Sequence, residues 1–315
     1  MKTNFFHSGL VALAVLFAFS ACGGDDNGGS EGSGGNNGGG TTSTNVNANE
    51  VNGGVAREVT RLEFPKMKGG NNLIIVHKAA GFGVNYSLEW DCTKKAQRWT
   101  CYQMYEGNSA SNWKRENWKT TVWKGDPFQE DTQILQQYRT TLADYKNSGY
   151  DRGHICPSAD RLFSQQVNEQ TFYLSNMHPQ LHAFNNGIWG EMENQIRTWN
   201  TASFRDTLFV CKGGTIENGQ VLAPAKSGLL VPKYFFMAIL CKRSGSYKAI
   251  AFWAEHTGQV TKNDKLSAYM ISVDELEEKT GIDFFCNLPD DVETRVEKVK
   301  PNTDAVKAAW MLVGK

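Results

Sequence analysis

The sequence predicts an α+β fold: one domain in which an antiparallel sheet is flanked by helices. Three observations predict it. From Leu73 onward short β-prone runs dominate, helical periodicity is confined to three stretches, and neither an internal repeat nor a second low-complexity break divides the chain. The domain is expected to span residues 58–315.

Two segments precede it. Residues 1–22 have the order of an export leader, with Lys2, the apolar run Leu10–Phe19, and then Ser20-Ala21-Cys22. The run is shorter than the roughly 20 residues that a permanent bilayer span needs. Small residues directly before Cys22 resemble the lipobox of bacterial lipoproteins, in which the cysteine receives lipid and the leader is removed; an ordinary cleaved leader is the alternative. Residues 23–40 hold ten glycines in eighteen positions, with Asn, Ser and Asp among the rest. Such a stretch buries no apolar surface, so residues 23–57 are expected to form a flexible tether with a mean reach of roughly 30 Å.

Within the domain the expected strands are Leu73–His77, Tyr86–Trp90, Arg98–Tyr105, Leu208–Cys211, Tyr234–Cys241 and Ala249–Ala254. Gln165–Leu174 is a modest helix candidate. Asn186–Asn200 is the strongest, because Ile188, Met192, Ile196 and Trp199 form an apolar stripe. Val273–Thr280 is a short acidic helix ending at Gly281, a suitable C-cap. Besides Cys22 there are six cysteines, an even number that suggests disulfides in an exported chain. A hairpin turning at Ala96-Gln97 sets Cys92 opposite Cys101; six buried thiols are the alternative.

The chain has 33 basic and 33 acidic residues, which excludes a polybasic protein that binds nucleic acid through bulk charge. The first 50 residues carry one basic and four acidic side chains, leaving 32 and 29 for residues 51–315, a balance of +3. With 40% apolar and 11% aromatic residues, wholesale disorder is excluded too.

Chemistry-bearing residues concentrate in Tyr150–Trp199. In Asp151-Arg152-Gly153-His154 a histidine able to act as a base near neutral pH stands beside a guanidinium able to hold an anionic oxygen, and the glycine suggests a close backbone approach. Asn185, Trp189, Glu193 and Arg197 recur every four residues, so they share a slowly drifting helical stripe. A solvated Glu193–Arg197 ion pair would explain part of it. An amide, a carboxylate and a guanidinium in that order also suit a hydrated hard cation and a phosphate. His77, His178, His182 and His256 are scattered and expected to be structural, as is Cys156.

The runs Asp-Arg-Gly-His-Ile-Cys-Pro, Tyr-Leu-Ser-Asn-Met-His-Pro-Gln and Asn-Asn-Gly-Ile-Trp-Gly-Glu-Met-Glu-Asn-Gln-Ile-Arg resemble the DNA/RNA non-specific endonucleases, ββα-metal nucleases with an Asp-Arg-Gly-His signature. The resemblance is close over about fifty residues and looser across the domain. It implies the ββα-metal nuclease fold and a Mg²⁺-dependent endonuclease, with Mn²⁺ as a substitute ion and DNA and RNA as substrates. It makes His154 the general base and Asn185 the single protein ligand of the metal. Glu193 would orient metal-bound water and assist the leaving oxygen, while Arg152 and Arg197 would stabilise the scissile phosphate. Asn176 and Gln180 would border the site as substrate-binding residues. The pattern departs at Thr121, where a relative has arginine; Arg115 and Lys119 are the nearest substitutes. A catalytically silent nucleic-acid-binding lipoprotein is the competing expectation. The leader adds a lipid anchor at Cys22 on the bacterial outer membrane, at its periplasmic or outer face, and no protein partner is expected.

Overall fold

The computed structural model describes residues 44–114, 126–259 and 263–315. The leader, Cys22, the glycine-rich stretch, Arg115, Lys119 and Thr121 lie outside the described residues.

Seven strands form one antiparallel sheet in the order β1-β2-β3-β6-β7-β8-β9. They are β1 (Asn72–Ala79), β2 (Gly83–Asp91), β3 (Ala96–Tyr105), β6 (Thr207–Gly214), β7 (Tyr234–Arg243), β8 (Ser246–Glu255) and the short β9 (Met270–Ile271). All six expected strands are among them. Side chains alternate between two cores. On β7, Phe235, Met237, Ile239 and Cys241 enter one, whereas Phe236, Ala238 and Leu240 enter the other. Burial on both faces explains why these strands read as nearly continuous apolar runs.

Helices cover the two faces. The predicted stripe of Ile188, Met192, Ile196 and Trp199 is buried in the first core. The second core is closed by α5 (Val273–Thr280) and α6 (Asp290–Glu297), with Val59 and Phe64. Ser272 caps α5 by accepting from the Glu275 amide, and Gly281 ends it with a φ of 64°, as its sequence predicts. Between the neighbouring strands β3 and β6 runs a long excursion with α1 (Leu142–Tyr145) and α2 (Gln165–Gln170), and with a two-stranded sheet of β4 (Asp151–His154) and β5 (Met177–Gln180). A short helix, α3 (His182–Phe184), leads through a π turn at Asn185–Trp189 into α4 (Gly190–Trp199). A final helix, α7 (Asp304–Ala309), follows α6.

Two expectations are corrected. The β2–β3 hairpin turns over residues 92–95, not at Ala96-Gln97, because Asp91 Oδ1 accepts from the Thr93 and Lys94 amides at 2.9 Å each. Asp91 therefore pairs with Ala96, Cys92 falls in the turn and Cys101 lies opposite Ser87. All six cysteines of the domain are buried free thiols, so the proposed Cys92–Cys101 disulfide is absent. The tether, placed at 23–57, also ends sooner. Asn45 donates to the Leu288 carbonyl, Asn47 to Asp283 and Glu293, and buried Asn49 to the Val59 and Pro65 carbonyls. These side-chain amides tie residues 45–49 to the α5–α6 side of the sheet, and the domain begins at or before Thr44.

His178, on β5, is 1% exposed beside the Phe235 ring. Burial pushes its pKa down to about 3. A depressed histidine contributes stability that is complete above the unfolded value near 6.5 and is lost as pH falls toward the folded one. Between pH 7 and pH 5 the wild type should therefore lose about 2 kcal/mol more unfolding free energy than His178→Gln in urea titrations. Parallel pH dependences would remove His178 as the source.

Candidate active site

The strands β4 and β5 pair with Arg152 opposite Pro179, Gly153 opposite His178 and His154 opposite Met177, and the α3–α4 helix follows directly. This is a ββα unit. Gly153 is required by packing: a Cβ there would lie 2.5 Å from Gln180 Cγ, so the buried glutamine side chain crosses the bare backbone. The helix is interrupted at Gly187, whose φ of −96° and ψ of −121° leave the helical region, and Asn185 and Glu193 sit on either side of the break.

His154, Arg152, Asn185, Glu193 and Arg197 line one cleft of about 510 Å³ together with Asp151 and His182. Phe128, Asp151, Arg152 and Asn185 also line an adjoining hollow of about 560 Å³ that reaches Tyr150 and Lys146. The His154 carbonyl accepts from Trp189 Nε1 at 3.2 Å, and its ring packs between Phe128 and Phe172 at centroid distances of 5.6 and 5.0 Å. Trp189 thus belongs to the stripe as a buried anchor.

Asn185 Nδ2 donates to Asp151 Oδ2 at 3.0 Å, and the same oxygen meets His182 Nδ1 at 2.9 Å. With its nitrogen engaged, the asparagine offers Oδ1 as a ligand. An amide oxygen with the Asp151 and Glu193 carboxylates around one cleft is a hard-oxygen donor set, which fits a hard divalent cation.

The charged groups are held from behind. Glu193 and Arg197 are not paired with each other. Lys212 Nζ, on β6 and fully buried, donates to Glu193 Oε1 at 2.8 Å and stands 4.9 Å from the centre of the Trp189 ring. Burial raises the Glu193 pKa, and Lys212 opposes that shift. Arg197 donates to Asp160 Oδ1 at 2.9 Å, and Asp160 also accepts from the Tyr102 hydroxyl at 2.8 Å. Arg152 is paired with Asp126 at 3.1 Å and lies 3.8 Å above the Phe128 ring.

A family model for DNA/RNA non-specific endonucleases matches residues 73–291. The chain belongs to this family. This endonuclease is 30% identical to a nuclease from Nostoc sp. over 69% of the present chain and 77% of the relative. It is 31% identical to nuclease C1 of Cunninghamella echinulata var. echinulata, over 58% and 74%. Human mitochondrial endonuclease G is 28% identical over 51% of the present chain and 57% of its own. A chain from the crystal structure of the EndoG/EndoGI complex superposes with a TM-score of 0.57 at 22% identity, covering 70% and 89%, and shares the ββα-metal nuclease fold. Family membership makes the protein a metal-dependent endonuclease.

Two sequence-predicted positions of the endonuclease do not face the cleft. Asn176 is fully buried, donating to the Cys156 and Thr171 carbonyls and accepting from the Cys156 amide. Gln180 is fully buried over Gly153. Asn176 clasps the backbone behind His154 and Gln180 crosses Gly153, so neither side chain lines the cleft that the resemblance has them border. Conversely, Lys212, Asp160 and Asp151 acquire roles that motif reading left unassigned. A signal existed for Lys212, a lone cation in the otherwise apolar and glycine run Leu208–Gly214. His77 and His256 are structural, bonded to Asp131 and to the Pro232 carbonyl, whereas exposed His182 borders the cleft.

Proposed function

We propose that the domain hydrolyses internal phosphodiester bonds of DNA and RNA with little sequence preference, using Mg²⁺ and His154 as general base. The observation that carries this reading is the convergence of His154, Asn185, Glu193, Arg152 and Arg197 on one cleft. Asn185 Oδ1 would hold the ion, with Asp151 fixing the amide and Glu193 orienting water beside it. Bound Mg²⁺ supplies Lewis-acid polarisation of the phosphate. An unprotonated nitrogen of His154 takes the proton of the attacking water, and the aromatic rings beside it limit its rotation. Arg152 and Arg197 offset the charge that grows on the phosphoryl oxygens, their planes preset by Asp126 and Asp160. Contacts confined to phosphate carry no base information, which accounts for low specificity and predicts salt-sensitive binding.

Export and lipid attachment at Cys22 belong to the same proposal, supported by Lys2, Leu10–Phe19 and the Ser20-Ala21-Cys22 junction. They would place the enzyme on the outer membrane, on its periplasmic or outer face.

Plasmid DNA and a structured RNA should both be cleaved with Mg²⁺, stop being cleaved with chelator, and be cleaved again when Mg²⁺ is restored. Asn185→Ala should raise the Mg²⁺ concentration at half-maximal rate about 10-fold or more. Well-folded protein that cuts neither substrate with Mg²⁺ or Mn²⁺ would favour the catalytically silent alternative, and an unchanged metal titration would remove Asn185 as ligand.

A further inference from the structure

We propose a second metal site, for Ca²⁺, formed by Asp274, Glu277 and Glu297 on the face of the sheet opposite the cleft. Asp274 and Glu277 stand three residues apart on one face of α5, and Glu297 is the last residue of α6. One carboxylate oxygen from each lies within 4.8 Å of those of the other two. Opposite ligands around Ca²⁺ are about 4.6–5.2 Å apart, so the three oxygens fit one coordination sphere.

Glu297 supplies an independent indication. It is 5% exposed, and its Oε1 has no hydrogen-bond partner among the described residues. A buried carboxylate oxygen without a donor is costly unless a proton or a cation meets it. No basic side chain does so among the described residues: the nearby Lys279 on α5 is paired with Glu275 at 3.4 Å. Glu277 commits Oε1 to the Phe284 amide at 2.7 Å and keeps Oε2 available. Burial first, and neighbouring carboxylates second, push Glu277 up to about 8 and Glu297 up to about 10. Asp283 and Glu293 flank the group, and Asn47 Nδ2 joins them at 3.2 and 3.0 Å.

The donor chemistry selects the ion. Carboxylates alone, with no nitrogen or sulfur ligand, suit a hard cation. Ca²⁺ accepts irregular sets of six to eight oxygens, including bidentate carboxylates and water. Mg²⁺ requires a tighter octahedron, with opposite ligands about 4.0–4.2 Å apart, and sheds water reluctantly. The site is independent of the nuclease reading, since none of its residues lines the cleft.

Thermal unfolding of the full chain, stripped of metals and titrated with Ca²⁺ alone, tests the site. Millimolar Ca²⁺ should raise the Tm by about 4 °C or more. Glu297→Gln and, on the more exposed side, Asp274→Asn should each abolish the rise while cutting DNA with Mg²⁺ at the wild-type rate. Asn185→Ala should keep the rise, separating this site from the catalytic one. No rise in the wild type, or an undiminished rise in both carboxylate variants, would overturn the proposal. An equal rise with Mg²⁺ at the same concentration would overturn the choice of ion.

Discussion

His154→Ala is expected to lower the single-turnover rate of DNA cleavage by about 10²–10⁴-fold, the usual contribution of a positioned general base. Affinity for DNA in chelator should stay within about threefold of the wild type, because the cationic groups of the cleft belong to other residues. The variant should fold, since β4 is held to β5 by main-chain pairing and the Trp189 indole bonds to the carbonyl of residue 154, not to its side chain. Gel-based cleavage and fluorescence anisotropy on one oligonucleotide read the two quantities. Cleavage within a factor of ten of the wild type would dismiss His154 as the base. Loss of binding parallel to loss of rate would reassign it to substrate contact.

Lys212→Met should be the most damaging substitution outside the motif. Lys212 is fully buried and neutralises Glu193, whose side chain is 13% exposed. Removing one partner of a buried ion pair leaves an uncompensated charge and costs about 3–5 kcal/mol. Glu193 would then take up a proton and lose the carboxylate the proposed chemistry needs, so rate and stability should fall together. Combining Lys212→Met with Glu193→Gln separates the two: much of the stability should return while cleavage does not. A single variant as stable as the wild type in urea unfolding would show that Glu193 does not depend on Lys212.

Chain pattern revealed some of this architecture and concealed the rest for identifiable reasons. The long strands of the main sheet are legible because both faces are buried, as in Tyr234–Cys241. Asp151–His154 and Met177–Gln180 are not legible as strands. Apart from Met177 their residues are polar, glycine or proline, and each is a strand only because the other pairs with it. Asp290–Glu297 escapes for a related reason, since Val292 and Val296 alone mark its apolar face. The alternation of residues 86–105 places the hairpin too far along the chain because it takes no account of Asp91, whose carboxylate closes the turn. In the site, His154, Arg152, Asn185, Glu193 and Arg197 could be read from their spacing and resemblance, whereas neither gives a role to Asp151 and His182, which line the same cleft. The pairing of Lys212 with Glu193 and of Asp160 with Arg197 could not be read that way. The partners come from a distant strand and a short 3₁₀ turn and meet only in three dimensions, even though a lone cation in an apolar run marks Lys212 itself.

The docking of residues 45–49 against α5 and α6 bears on how the enzyme can be handled. The peptide joins the domain on the side of the sheet remote from His154, with the thickness of two cores between them. Nucleic acid is a stiff polymer much wider than the cleft, and the cleft proposed to receive it opens on the His154 side. A support gripping the protein ahead of Thr44 therefore pulls on the back of the catalyst, making the N-terminus the rational end for immobilisation.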